Sequence, residues 1–116
     1  MTAPEPAGAV EERDLQWIVA RILARQQLEA IYVFGSRAKR TATPDSDIDL
    51  LVVGASRLPR AHRGKEIVAA LAAFPRRFDV LCYTAQELDE ECRDPGSFAA
   101  TIMLTARRLY PRPPDI

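Results

Sequence analysis

Apolar positions along the chain recur with two different periods, and the switch between them marks the elements. Leu15, Ile18, Val19 and Ile22 stand at helical spacing behind an acidic start near Glu11, a charge that suits the positive end of a helix dipole. They predict a first helix running to about Gln27. Ala30-Ile-Tyr-Val-Phe34 is rich in β-branched and aromatic residues and is stopped by Gly35, so it reads as a short strand. Ser36 to about Arg40 opens a brief helix, and Thr41 to Ser46, with Pro44-Asp45, is a loop. Asp47 to Val53, closed by Gly54, is a second strand. Arg57 to Gly64 leads into a helix striped by Ile67, Val68, Leu71 and Phe74 and ended by Pro75; Arg77 to Tyr83 is a third strand. Thr84 and Glu87 have the spacing of a capping box on a short acidic helix. After Asp94-Pro-Gly, Ser97 starts a last helix with Phe98, Ile102, Ala106 and Leu109 on one face. The order αβαβαβαα predicts an α/β (α+β) sheet covered by helices. It occupies residues 10–110, between a flexible Pro/Ala/Gly-rich tail at 1–9 and a C-terminal tail at 111–116.

Composition narrows the function. The 116 residues are 47% hydrophobic and 28% charged, enough for one domain and one core. Sixteen basic residues offset sixteen acidic ones, so no general positive field invites direct nucleic-acid binding. Fourteen of the basic residues are Arg, which suits bidentate phosphate or carboxylate contacts. The start of the chain lacks the basic and apolar regions of a secretory signal. Its longest nearly apolar run, Ile67 to Phe74, falls far short of the roughly 20 residues that span a bilayer, so no membrane role is expected. Cys82 and Cys92 carry no zinc spacing and read as reduced thiols of a cytoplasmic protein.

One stretch carries specific chemistry. Side chains alternate along a strand, so Asp47 and Asp49 share a face while Ile48 and Leu50 take the other. Asp79 enters a later strand, and aimed at that same face it completes three carboxylates. Carboxylates so placed repel, by about 4 kcal/mol at about 4 Å in an effective dielectric of 20. A hard divalent cation cancels that repulsion, and oxygen-only ligands point to magnesium or manganese. Ahead of the acids, Gly35 permits close backbone approach to a phosphate, and Ser36 adds a hydroxyl at a helix start. Each feature has a plainer reading: a turn carboxylate, a helix cap, a solvated face for Arg57, Arg60, Arg63, Arg76 and Arg77, or a basic rim formed by those arginines. Asp45 is a turn former. His62, the lone histidine, is a surface or capping residue, and Tyr83 or Tyr110 is either core or a stacking surface for adenine.

Gly35-Ser36, a ten-residue spacer, Asp47-Ile48-Asp49 and then Asp79 together resemble the nucleotidyltransferase superfamily related to DNA polymerase β. The short length resembles its minimal members, the MntA-type antitoxins. The likeness covers about residues 28 to 110. It implies a small mixed sheet, ATP as donor, and transfer of AMP with loss of pyrophosphate. By motif, Asp47, Asp49 and Asp79 are implied as catalytic magnesium ligands, for one ion or two, and Asp79 also as activator of the acceptor hydroxyl. Gly35 and Ser36 are implied to hold the triphosphate, with Arg37, Lys39 and Arg40 to neutralise the departing pyrophosphate. These proteins often carry Gly shortly after Gly-Ser-Arg, where this chain has Arg40-Thr41. The implied partner is a helical HEPN-type ribonuclease toxin, modified on tyrosine. Two alternatives stand beside this: a small-molecule transferase of the aminoglycoside-modifying kind, and a non-catalytic antitoxin that masks its partner by contact.

Overall fold

The computed structural model describes residues 10–35 and 47–113. Four strands, β1 (Ala30–Phe34), β2 (Ile48–Val53), β3 (Phe78–Tyr83) and β4 (Arg107–Tyr110), form one sheet in the order β3-β2-β1-β4. β1 runs antiparallel to both β2 and β4, and β2 runs parallel to β3. The sheet is therefore mixed, the small mixed sheet covered by helices that the element order led one to expect.

Helices cover both faces. α1 (Glu12–Leu23) starts at Glu11, whose backbone N–H donates to Asp14 Oδ2 at 2.8 Å in a reciprocal capping box. Its Leu15, Trp17, Ile18 and Ile22 pack with Ile67 and Leu71 onto Ile31, Val33, Ile48, Leu50 and Val52. Rings stitch the edge of this core: Trp17 to Phe74 at 5.8 Å between centroids, and Phe74 to Phe78 at 5.6 Å, edge to face. On the opposite face Phe34, Leu51, Val53 and Tyr83 meet Ala99 and Ile102. The caps of α3 (Ala85–Cys92) and α4 (Phe98–Met103) follow expectation: Thr84 with Glu87 is a full capping box, and Ser97 accepts from Ala100 N–H.

Four expectations are corrected. α1 ends at Leu23, not Gln27. α2 spans only Lys65–Ala70; Ile67, Leu71 and Phe74 are buried, but Val68 is 45% exposed. α4 stops at Met103, and Arg107–Tyr110 leaves the predicted helix to become β4. There it satisfies the edge of β1 and lays Leu109 and Tyr110 against the α1 core. A pairing between residues 74 to 79 apart in sequence thus overrides a helical periodicity that Ala106 and Leu109 happened to fit. Phe98, placed on the buried face by that periodicity, is 64% exposed. The tail at 1–9, residues 114–116 and the predicted Ser36–Arg40 helix lie outside the described residues.

Candidate active site

The register of the three central strands builds the site. Phe34 of β1 pairs with Asp49 of β2, and Asp49 pairs in turn with Asp79 of β3. Paired residues on neighbouring strands point to the same face about 4.8 Å apart. Phe34, Asp49 and Asp79 are therefore a row across three strands, on the face that carries Leu51, Val53 and Tyr83. Ile48, Leu50, Phe78 and Val80 point the other way, into the α1 core. On this face burial falls along β3 from buried Tyr83 through half-buried Leu81 to exposed Asp79, because α3 and α4 cover it at the Tyr83 end. The acids are left at the uncovered end, with Asp49 half-buried between its neighbours.

Gly35 sits against them. The chain leaves β1 at φ +70°, a left-handed conformation that side chains disfavour. A Cβ built there would overlap Asp49 Oδ2 and lie 3.4 Å from its Cγ. Glycine at this position thus serves two ends, the sharp turn and the space beside the carboxylate. Asp47, one residue ahead of β2, is exposed and lines an open recess of about 510 Å³ with Pro75, Arg76 and Arg77. Ile48 N–H donates to Arg77 carbonyl O at 2.9 Å, which brings the Asp47 and Arg77 segments together. A groove of about 560 Å³ between α1 and β4 includes none of the three acids.

The structure thus joins Asp49, Asp79 and Gly35, with Asp47 at the mouth. Ser36, Arg37, Lys39 and Arg40 lie outside the described residues. The arginines form no single rim. Arg63 donates to both Glu87 oxygens, at 2.5 and 3.2 Å, and Arg60 to Glu91 at 3.0 Å, at the far end of β3 from the acids. Arg63 and, after it, the Thr84 backbone N–H hold the Glu87 carboxyl down at about 2. Tyr83 is buried beneath Arg60, whose guanidinium lies 4.3 Å from the ring centroid, so it offers adenine no free face. Tyr110 belongs to β4. His62 is exposed in a short turn of 3-10 helix, and burial pushes the Cys82 thiol up. Sequence reasoning missed Phe34 as the third member of the row, though its alternation with Ile31 and Val33 already put it on the opposite face from them.

Among the described residues no three of His, Cys, Asp and Glu are grouped closely enough to hold a metal ion by themselves. What the row supplies is two facing carboxylates with a third nearby, and a cradle at Gly35 that any Cβ would fill. That set fits magnesium, which typically takes one or two carboxylates and completes its shell with water and substrate phosphates. Among the described residues no helix is long and apolar enough to cross a membrane.

Solved structures share the fold. A toxin–antitoxin crystallised with AMP-PNP superposes with a TM-score of 0.55 at 21% identity, covering 87% of this chain and 73% of that one. An MntA–HpeT toxin–antitoxin bearing two Asp-to-Glu substitutions gives 0.52 at 18% identity over the same shares. A Sulfolobus solfataricus protein assigned as a nucleotidyltransferase gives 0.50 at 26% identity, over 72% of this chain and 84% of that one. No curated protein sequence matches. The family model for the polymerase beta nucleotidyltransferases matches residues 18–112, which takes in all four strands and every acid of the row, and the chain belongs to that family.

Proposed function

We propose that this protein is an antitoxin-type nucleotidyltransferase that transfers AMP from ATP to a hydroxyl, a tyrosine, of a partner HEPN-type toxin in the cytoplasm. The observation that carries this reading is the Asp49–Asp79 pair beside Gly35, within a chain of this family. The fold neighbours that are toxin–antitoxins, one of them with AMP-PNP, support the partner class. The two substituted Asp residues of the MntA–HpeT variant are spaced as Asp47 and Asp49 are.

In this mechanism Gly35 and Ser36 bind the triphosphate through backbone N–H and hydroxyl groups. Asp47, Asp49 and Asp79 would hold magnesium, which would supply positive charge to offset that of the phosphates during the transfer. Asp79 is exposed where an acceptor arrives, and its carboxylate takes up the acceptor's hydroxyl proton. The acceptor oxygen bonds to the α-phosphorus as the bond to the β-phosphate bridging oxygen breaks. Arg37 and Arg40 offset the charge of the departing pyrophosphate.

The test is intact mass spectrometry of the neighbouring gene's product after incubation with this protein, ATP and magnesium. The partner gains one or more AMP units, and Asp49→Asn slows the gain by about 100-fold or more. An unmodified partner overturns the reading. Neutralisation that survives Asp47→Asn with Asp49→Asn assigns the protein to masking by contact instead.

A further inference from the structure

Among the described residues β3 ends the sheet, and its outer edge faces a slot rather than a strand. Ile48 N–H donates to Arg77 O, and Gly54 N–H donates to Tyr83 O at 3.0 Å. With the parallel register between them, the backbone groups of Asp79 and Leu81 also turn inward to β2, and those of Phe78 and Val80 turn outward. Among the described residues no hydrogen bond reaches the outward groups of Phe78 or Val80. These two residues flank Asp79. The slot beside them has a volume of about 750 Å³, and its far wall includes Lys65 and Val68. Val68 is the exposed apolar residue that left the predicted stripe of α2.

An open edge with apolar neighbours is a template for another strand, and natural sheets usually blunt such edges with proline, charge or a covering segment. Here no proline lies within β3, and the one charged side chain of the strand is Asp79 itself. A strand added to this edge would extend the Phe34–Asp49–Asp79 row by one member. Its side chain opposite Asp79 would share the face of both carboxylates. Charge sets the composition of the incoming strand. Lys65 on the slot wall and Arg77 at the start of β3 are exposed and have no ion-pair partner among the described residues. Acidic residues suit the flanks, whereas directly opposite Asp79 an acid is repelled and a hydroxyl is not.

We propose that the outer edge of β3 is the acceptor's docking strand: an extended, acid-flanked segment of the partner protein pairs with Phe78 and Val80 and lays its hydroxyl-bearing side chain beside Asp79. This rests on the role of Asp79 proposed above, and recognition is by strand addition, main-chain bonds giving affinity and flanking charge giving selectivity.

The experiment uses the full chain without ATP and two synthetic peptides, Glu-Asp-Val-Tyr-Val-Asp-Glu and its counterpart with Lys for every acid. Amide hydrogen exchange is followed at Phe78 and Val80, and affinity by titration. The acidic peptide slows exchange at both amides and binds about threefold or more tighter than the basic one. Val80→Pro removes an outward N–H and changes a side chain at the edge of the α1 core, takes away none of the ladder bonds to β2, and weakens the acidic peptide about tenfold. Binding of AMP-PNP with magnesium stays unchanged in that variant. Lys65→Glu, at an exposed position, narrows or reverses the preference between the peptides and decides the matter should Val80→Pro not fold. No protection at millimolar peptide, or a peptide preference untouched by Lys65→Glu, overturns the proposal. So does protection that grows with protein concentration alone, which assigns the edge to a second copy of this chain. Protection without AMP transfer from added ATP counts against the role of Asp79 and leaves the edge as a docking strand.

Discussion

Gly35 shows how much of this site rests on the absence of one methyl group. Its φ of +70° costs an L-residue about 1–2 kcal/mol, and the Cβ that alanine adds overlaps Asp49 Oδ2. Two separate penalties fall on one substitution, and they have different readouts. The backbone penalty appears as lost stability, and the overlap appears as a displaced carboxylate. Gly35→Ala is therefore expected to lower the free energy of unfolding by about 1–2 kcal/mol in denaturant titration. It should also abolish AMP-PNP binding in the variant that remains folded. Retained affinity in a folded Gly35→Ala protein would show that Asp49 can yield without consequence for the nucleotide. That Asp49 lies on the face opposite Ile48 and Leu50 was legible in the sequence, because side chains alternate along a strand. The contact between Gly35 and Asp49 was not, since it depends on how β1 and β2 register at Phe34.

At the scale of elements, α3 is held to the sheet by charge as well as by its cap. Glu87 closes the capping box with Thr84 and receives both arms of Arg63, which hold its carboxyl at about 2 instead of its ordinary 4.5. A carboxyl whose folded value is depressed stabilises the fold above its unfolded value, and that contribution fades as pH falls toward the folded value. Wild type should therefore melt a few degrees above Glu87→Gln between pH 5 and 8. The gap should shrink from about pH 4.5 downward and close near pH 2. Glutamine keeps the capping geometry, so the comparison isolates the charge. A gap that holds constant to pH 2.5 in thermal melts would remove Arg63 as its cause. This cap was readable from Thr84 and Glu87 alone, as was Ser97 at the start of α4, because caps are local chemistry. The ion pair was not, since Arg63 lies 24 residues upstream. Nor was β4: Arg107–Tyr110 has no strand signature of its own, and it is a strand because β1 offers an edge.

The sheet order β3-β2-β1-β4 gives the molecule two unlike edges, and the difference has a measurable consequence. β3 keeps an open edge beside the acids, whereas β4 closes the other side and ties the end of the domain to its beginning. Leu109 and Tyr110 pack on the core that holds Leu15 and Ile18, and Arg107 pairs with Glu12 at 2.5 Å. Leu109 and Tyr110 are half-buried, so each contributes about 1–2 kcal/mol, less than a fully buried side chain, and each ladder bond adds about 1 kcal/mol net. Together these approach the roughly 5–15 kcal/mol that holds a whole domain folded. A chain ending at Met103 should then lack a cooperative thermal transition, and Asp49 and Asp79 should lose their register with it. Had residues 104–110 continued α4, as their periodicity suggests, the same truncation would only fray a surface helix and leave nucleotide binding in place. A truncated protein that melts cooperatively and still binds AMP-PNP would thus refute the β1–β4 pairing. A chain that unfolds shows that a segment far from the acids decides whether the site exists.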